Sequence, residues 1–133
     1  MTSTLEERLE FQIQAMGISP PEREYPFAAE HAGRGDGIKT RLAADGKKNW
    51  LFDFAWPDAW LAVEVEGGGW IQGRHNRGKG FRDDMEKYHH AMEIGWTVYR
   101  CDGSLIRSGR AVELIFELLE VMRARQVASE LIS

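Results

Sequence analysis

The sequence predicts one α/β domain: a mixed central sheet flanked by helices, in the order helix, three strands, helix, strand, helix. Three observations predict it. Two apolar runs, Trp50-Leu-Phe-Asp-Phe-Ala-Trp56 and Trp60-Leu-Ala-Val-Glu-Val-Glu66, alternate their chemistry with the period-two rhythm of paired strands. Stretches near both ends carry apolar residues at helical spacing. A further apolar run, Trp96-Thr-Val-Tyr-Arg-Cys101, follows a helical segment and a glycine and reads as a strand.

Composition limits the rest. With 133 residues, 43% of them hydrophobic and five tryptophans, the chain can close one real core, so residues 1–133 are read as one domain. No segment approaches the roughly 18 apolar residues of a membrane span. The start, Met-Thr-Ser-Thr-Leu-Glu-Glu, does not have the basic and apolar regions of a secretion signal, so a cytoplasmic location is expected. One cysteine, Cys101, excludes an internal disulfide and a cysteine-rich zinc site. A net charge of -4 argues against coating nucleic acid by bulk charge and leaves room for a local basic surface.

The elements follow in order. Ser3 or Thr4 caps a first helix to about Met16, ended by Gly17, with Leu5, Leu9, Ile13 and Met16 inward. Glu6 borders that stripe, Glu10 lies farther round and Glu7 points away. Glu6 either reaches a site in the core or serves the helix N-terminus in water. Pro20-Pro21 breaks the chain, Arg23 to Ala28 suggests a strand, and His31 to Lys48 reads mostly as loop, with a weaker strand at Ile38 to Leu42. The two runs at 50–66 form a hairpin. Proline cannot take the positive φ of a primed two-residue turn, so Pro57 to Trp60 forms a four-residue connection. That connection pairs Ala55 with Ala62 and sets Asp53 opposite Glu64, with Glu66 diagonally beyond on the same face. Neighbours Leu51, Ala55 and Ala62 give that face a buried character. Three carboxylates near an apolar surface need a positive charge, and a divalent cation bound by oxygen ligands supplies one.

After the hairpin, Gly67 to Arg82 holds Arg74, His75, Arg77, Lys79 and Arg82 with no acid, and Trp70 suited to stacking on a base or covering the core. A cationic glycine-rich stretch beside an anionic site reads as a clamp for phosphates. Its Gly73–Gly80 segment misses the nucleotide-binding loop pattern, because Gly80 stands where Ser or Thr is needed, so no nucleotide cofactor is expected. A helix from about Arg82 to Glu93 stops at Gly95. Lys87 shares a face with Ala91 and Ile94; if Met85, His89 and Met92 instead face inward, Lys87 points to solvent. Adjacent His89 and His90 diverge and do not suit zinc. A last helix, Ala111 to about Val127, turns Val112, Ile115, Phe116, Leu119 and Met122 inward.

The chain resembles the PD-(D/E)XK nucleases, most closely the small phage-type and very-short-patch-repair-like endonucleases. Phe52-Asp-Phe54, Val63-Glu-Val-Glu-Gly67, the downstream His75 and Gly95-Trp-Thr-Val-Tyr-Arg100 carry the resemblance, which covers nearly the whole chain. It implies a restriction-endonuclease-like core of αβββαβ order plus a C-terminal helix. It also implies Mg²⁺-dependent hydrolysis of DNA phosphodiester bonds, with Mn²⁺ able to substitute, in phage DNA repair or recombination, by nicking or junction resolution. Asp53, Glu64 and the main-chain carbonyl of Val65 would hold the metal, with Glu66 and Glu6 tuning it or recruiting a second. Lys87, His75 or Arg77 would face the phosphate, and a homodimer is compatible with the family. The departure is Glu66, which stands where the motif usually has lysine; Lys87 is the candidate for a lysine that has migrated to the next helix. The alternative is a catalytically silent nuclease fold that binds nucleic acid or protein. A hydrolase of small phosphorylated substrates fits less well, because the basic stretch offers no enclosing lid.

Overall fold

The computed structural model describes residues 3–67 and 79–132. It is one four-stranded mixed sheet with six helices among the described residues, in the order α1 (Thr4–Ala15), β1 (Glu22–Tyr25), α2 (Phe27–Ala32), α3 (Ile38–Ala44), β2 (Phe52–Trp56), β3 (Leu61–Glu66), α4 (Lys79–Glu93), β4 (Thr97–Asp102), α5 (Gly103–Arg107) and α6 (Arg110–Ile132). The strands lie in sequence order; β1–β2 and β2–β3 pair antiparallel and β3–β4 pair parallel. No helix among the described residues is long and apolar enough to cross a membrane.

Local chemistry explains most boundaries. The Ser3 hydroxyl accepts the Glu6 amide at 3.1 Å and caps α1. The hairpin turns through Pro57–Ala59 as a short 3₁₀ segment, and Trp60 closes it in the left-handed region at φ 55°. Its register is Ala55 against Ala62 and Phe54 against Val63, as the four-residue connection requires. At the end of α4, Gly95 sits at φ 99° and the Gly95 and Trp96 amides bond the carbonyls of Met92 and Ala91, a Schellman cap. The Asp102 carboxylate accepts the Leu105 amide at 3.0 Å and starts α5.

Several expectations are corrected. The strand foreseen at Arg23 to Ala28 ends at Tyr25, and Phe27–Ala32 is helix. The stretch read as loop with a weak strand holds α3; Ile38, Thr40 and Leu42 only mimic alternation, and of this helix only Leu42 is buried. Met16 and Phe116 are each 42% exposed: Met16 follows the last turn of α1, and Phe116 lies at the edge of a stripe whose centre is Val112, Ile115, Leu119 and Met122. Leu51 precedes β2 and is exposed.

The sheet divides the core in two. On one face Phe54, Trp56, Leu61 and Val63 meet Leu9 and Ile13 of α1, Ile106 of α5 and Ile115 and Leu119 of α6. On the other, Ala55 and Ala62 meet Ala91 of α4, beside Phe27 of α2, Phe52 and Trp96. The three alanines are fully buried. Small residues on both surfaces let α4 approach the sheet closely, and this brings a lysine on the helix within reach of a strand carboxylate.

The contrast between Ile115 and Phe116 is testable. Ile115→Ala is expected to cost about 2–5 kcal/mol, whereas Phe116→Ser, at a side chain 42% exposed, should cost less, on the order of 1 kcal/mol. Urea denaturation of the two variants measures both.

Candidate active site

The site forms where β2 and β3 part. Their paired register ends at Phe54–Val63, and one step on, Asp53 and Glu64 face each other. Here the carboxylates replace main-chain partners. The Val65 amide donates to Asp53 Oδ2 at 2.8 Å, and the Asp53 amide donates to Glu64 Oε2 at 2.9 Å. These two bonds satisfy amides that the separating strands would leave unpaired, and they fix both acids.

Glu64 is only 5% exposed. Its Oε1 accepts from the Lys87 ammonium in an ion pair and from the Tyr88 hydroxyl at 3.2 Å. Lys87 belongs to the inner face of α4, with fully buried Ala91 and half-buried Ile94, while Met85, His89 and Met92 are exposed. The reading that sent Lys87 to solvent is therefore corrected: the alanine, and not the methionines, marks the face that fits against Ala55 and Ala62. The Lys87 ammonium also lies 5.8 Å from the Phe52 ring centre and 5.4 Å from that of Tyr88.

Glu6 turns towards the site, but through an arginine. Arg23 of β1 bonds Glu6 at 2.7 Å and Glu10 at 3.1 Å, donates from Nε to the Asp53 carbonyl at 3.1 Å, and lies 4.2 Å over the Phe54 ring. The solvated alternative for Glu6 does not hold, since its side chain is 15% exposed and ion-paired. Glu66 does not join the other acids. At the exposed end of β3 it pairs with Arg100 Nε at 2.7 Å, and that guanidinium lies 4.7 Å over the Tyr88 ring. Among the described residues, no three His, Cys, Asp or Glu side chains gather as a metal-ligand group.

Of the basic stretch, Trp70, Arg74, His75 and Arg77 lie outside the described residues. Only the backbone of Lys79 is described, at the start of α4, and Arg82 is exposed on that helix. Arg23 and Tyr88 are not singled out by the sequence, and Arg100 enters there only as the end of the Gly95–Arg100 motif, with no role assigned. Each acts across elements far apart in the chain, which no local pattern reveals.

Burial is the main cause of the site's electrostatics. It pushes the Asp53 carboxyl above its ordinary value, with Glu6 adding to the rise and the Val65 amide opposing it. Burial likewise raises Glu64, with Lys87 pulling down and Asp53 pushing up. Burial raises the Tyr88 phenol strongly, so it remains a hydrogen-bond donor. Two acids held together in a poorly hydrated place are hard oxygen donors whose ionised forms await more positive charge. That donor set fits a divalent cation such as Mg²⁺.

A raised carboxyl pKa stabilises the fold while the group is protonated, and that contribution is lost as pH rises through the folded-state value. The contribution of Asp53 and Glu64 to stability is therefore expected to decline as pH climbs above the ordinary carboxylate range of about 4, while the lowered carboxyl of Glu93 works in the opposite sense. Asp53→Asn should flatten that decline, and urea midpoints across the pH series measure it. A slope unchanged in this variant would show that Asp53 titrates as an ordinary surface acid.

No protein-family model, no curated protein and no solved structure matches this chain.

Proposed function

We propose that the chain is a metal-dependent endonuclease of PD-(D/E)XK type that hydrolyses DNA phosphodiester bonds. One observation carries the reading: Asp53 and Glu64 oppose each other where β2 and β3 part, with Lys87 of the following helix against Glu64. An acid pair on adjacent strands with a nearby lysine suits phosphodiester hydrolysis; the succession of four strands with a helix between β3 and β4 agrees with the resemblance seen in the sequence, while α2 and α3 depart from it by separating β1 from β2.

In this reading Asp53, Glu64 and the Val65 carbonyl would hold Mg²⁺, which would supply charge that acidifies water and stabilises the transition-state phosphate. Lys87 adds positive charge beside the phosphate and compensates for the absence of lysine at Glu66. Arg23 fixes Glu6 and the Asp53 carbonyl in relation to each other, which keeps the acid pair from drifting as the substrate's charge arrives. The stretch from Trp70 to Arg82 grips the DNA backbone. Glu66, held by Arg100, contributes negative charge at the edge of the site.

The competing reading, a nuclease fold that binds without cutting, is favoured by one observation: Lys87 pairs with Glu64 and so supplies positive charge of the kind a metal would bring. One experiment separates the two. Purified protein is incubated with Mg²⁺ and linear, nicked, flapped, mismatched and four-way DNA. Cleavage of at least one substrate is expected, with Asp53→Asn and Glu64→Gln each lowering the rate at least about a hundredfold, a loss typical of removing charge stabilisation from a transition state. Binding with no cleavage of any substrate would establish the silent reading.

The basic stretch has its own test. Replacing Arg74, Arg77 and Lys79 together by alanine should weaken DNA binding and flatten its salt dependence by up to roughly one logarithmic unit per lost phosphate contact. Filter binding over a salt series measures this. An equal slope would move the DNA path elsewhere.

A further inference from the structure

The ion pair beneath Glu64 poses a problem that the proposed chemistry leaves open. A cation approaching Glu64 finds both carboxylate oxygens engaged: Oε2 by the Asp53 amide, Oε1 by Lys87 and Tyr88. Asp53 Oδ2 is likewise engaged by the Val65 amide. The amides are fixed in the backbone and Tyr88 is a neutral donor. Lys87 is the charged partner, and its ammonium ends a flexible four-carbon stem.

We infer that Lys87 is a resident counter-ion for the acid pair, occupying the place of the divalent cation in the metal-free protein and leaving Glu64 when that cation binds. The inference rests on the reading of Asp53 and Glu64 as metal-holding carboxylates, and it concerns how the site is loaded.

Burial supports it first. The Lys87 side chain is 15% exposed and the Glu64 side chain 6%, so without Lys87 the acid would stand in poor contact with water and with no compensating charge. The fold thus carries its own cation for the state without metal. With the metal in place the same ammonium faces a doubly charged neighbour, and remaining on Oε1 would cost repulsion where it earlier gained attraction.

Geometry supplies the exit. The ammonium already lies beside the Phe52 and Tyr88 rings, at 5.8 and 5.4 Å from their centres. Those π-faces lower the cost of a lysine moving off a carboxylate in a poorly hydrated space. Glu64 does not lose its orientation in the exchange, because the Asp53 amide and the Tyr88 hydroxyl still hold it. The displaced ammonium remains next to the site, where an incoming phosphate gives it a new anion. Loading metal and priming Lys87 for substrate then become one event.

The exchange makes Lys87 a competitor of the metal, opposite to what a metal-supporting residue would be. Mn²⁺ binding to the full chain, followed by calorimetry without DNA, reads this directly. An opposite charge in contact with a carboxylate changes its affinity for a competing cation by roughly tenfold or more. Lys87→Met should therefore bind Mn²⁺ at least about tenfold tighter than the parent chain, while Asp53→Asn and Glu64→Gln lose binding.

A second arm uses the parent chain alone. Reductive methylation, read at each lysine by peptide mass, should label Lys87 several-fold faster at saturating Mn²⁺ than without it. Unchanged or weaker Mn²⁺ affinity in Lys87→Met would overturn the exchange while loss of binding in the acid variants upheld the metal site. So would Lys87 labelling that does not respond to Mn²⁺ in a chain that binds it. If neither the parent nor Lys87→Met binds Mn²⁺, the metal reading itself falls, and the exchange with it.

Discussion

Glu64 is a carboxylate buried to 5% exposure at the point where two strands separate, and much of the architecture is organised to keep it there. An isolated ionised acid in such a place costs several kcal/mol unless donors and charge meet it. The Asp53 amide, Lys87 and Tyr88 do so. To deliver Lys87 and Tyr88, α4 must lie close against the sheet. That closeness needs Ala55, Ala62 and Ala91 at the contact, because larger side chains would push the helix outward by the thickness of the extra atoms. The alanines on one face are therefore as much part of the site as the acids are.

The opposite face works differently. Bulky residues, Phe54, Trp56, Leu61 and Val63, fill the space under α1, α5 and α6 and hold the strands rigid. Arg23 joins this packed side to the polar one. It lies over Phe54, gathers Glu6 and Glu10 from α1, and holds the Asp53 carbonyl, so the helix, the edge strand and the acid-bearing strand share one charged contact. A positioned carboxylate is thus supported by one layer whose stability comes from apolar volume and another whose closeness comes from its absence.

What could be read from the sequence followed the range of the interactions. The hairpin, its connection and its register were legible because proline chemistry and period-two alternation act over a few residues, and they lead directly to Asp53 against Glu64. The first and last helices were legible from a capping serine and long apolar stripes. Helices α2 and α3 were not. They are six and seven residues long, too short for a helical period to stand out, and glycines at 33, 35 and 37 imitate a loop. The direction of Lys87 turned on the phase of α4, where alanine and methionine made rival claims to the interior; packing against Ala55 and Ala62 decided for the smaller residue. Strand parity and the third position of the motif both group Glu66 with the other acids. Parity says nothing of Arg100, which arrives on the neighbouring parallel strand and draws Glu66 away.

The connectivity has a consequence for how the chain reaches this structure. β2 and β3 are joined by a four-residue turn, while β4 and α4 come from later in the chain. Local hairpins close early, and parallel pairings that require a crossover close late. The contact between Asp53 and Glu64 is therefore local in sequence, whereas Lys87 reaches Glu64 from a helix outside the hairpin. The hairpin alone sets two like charges together, and the charge that balances them comes from outside it, a local conflict that the complete fold resolves. The face that α4 turns to the sheet is thus matched to the acid pair by charge as well as by apolar contact.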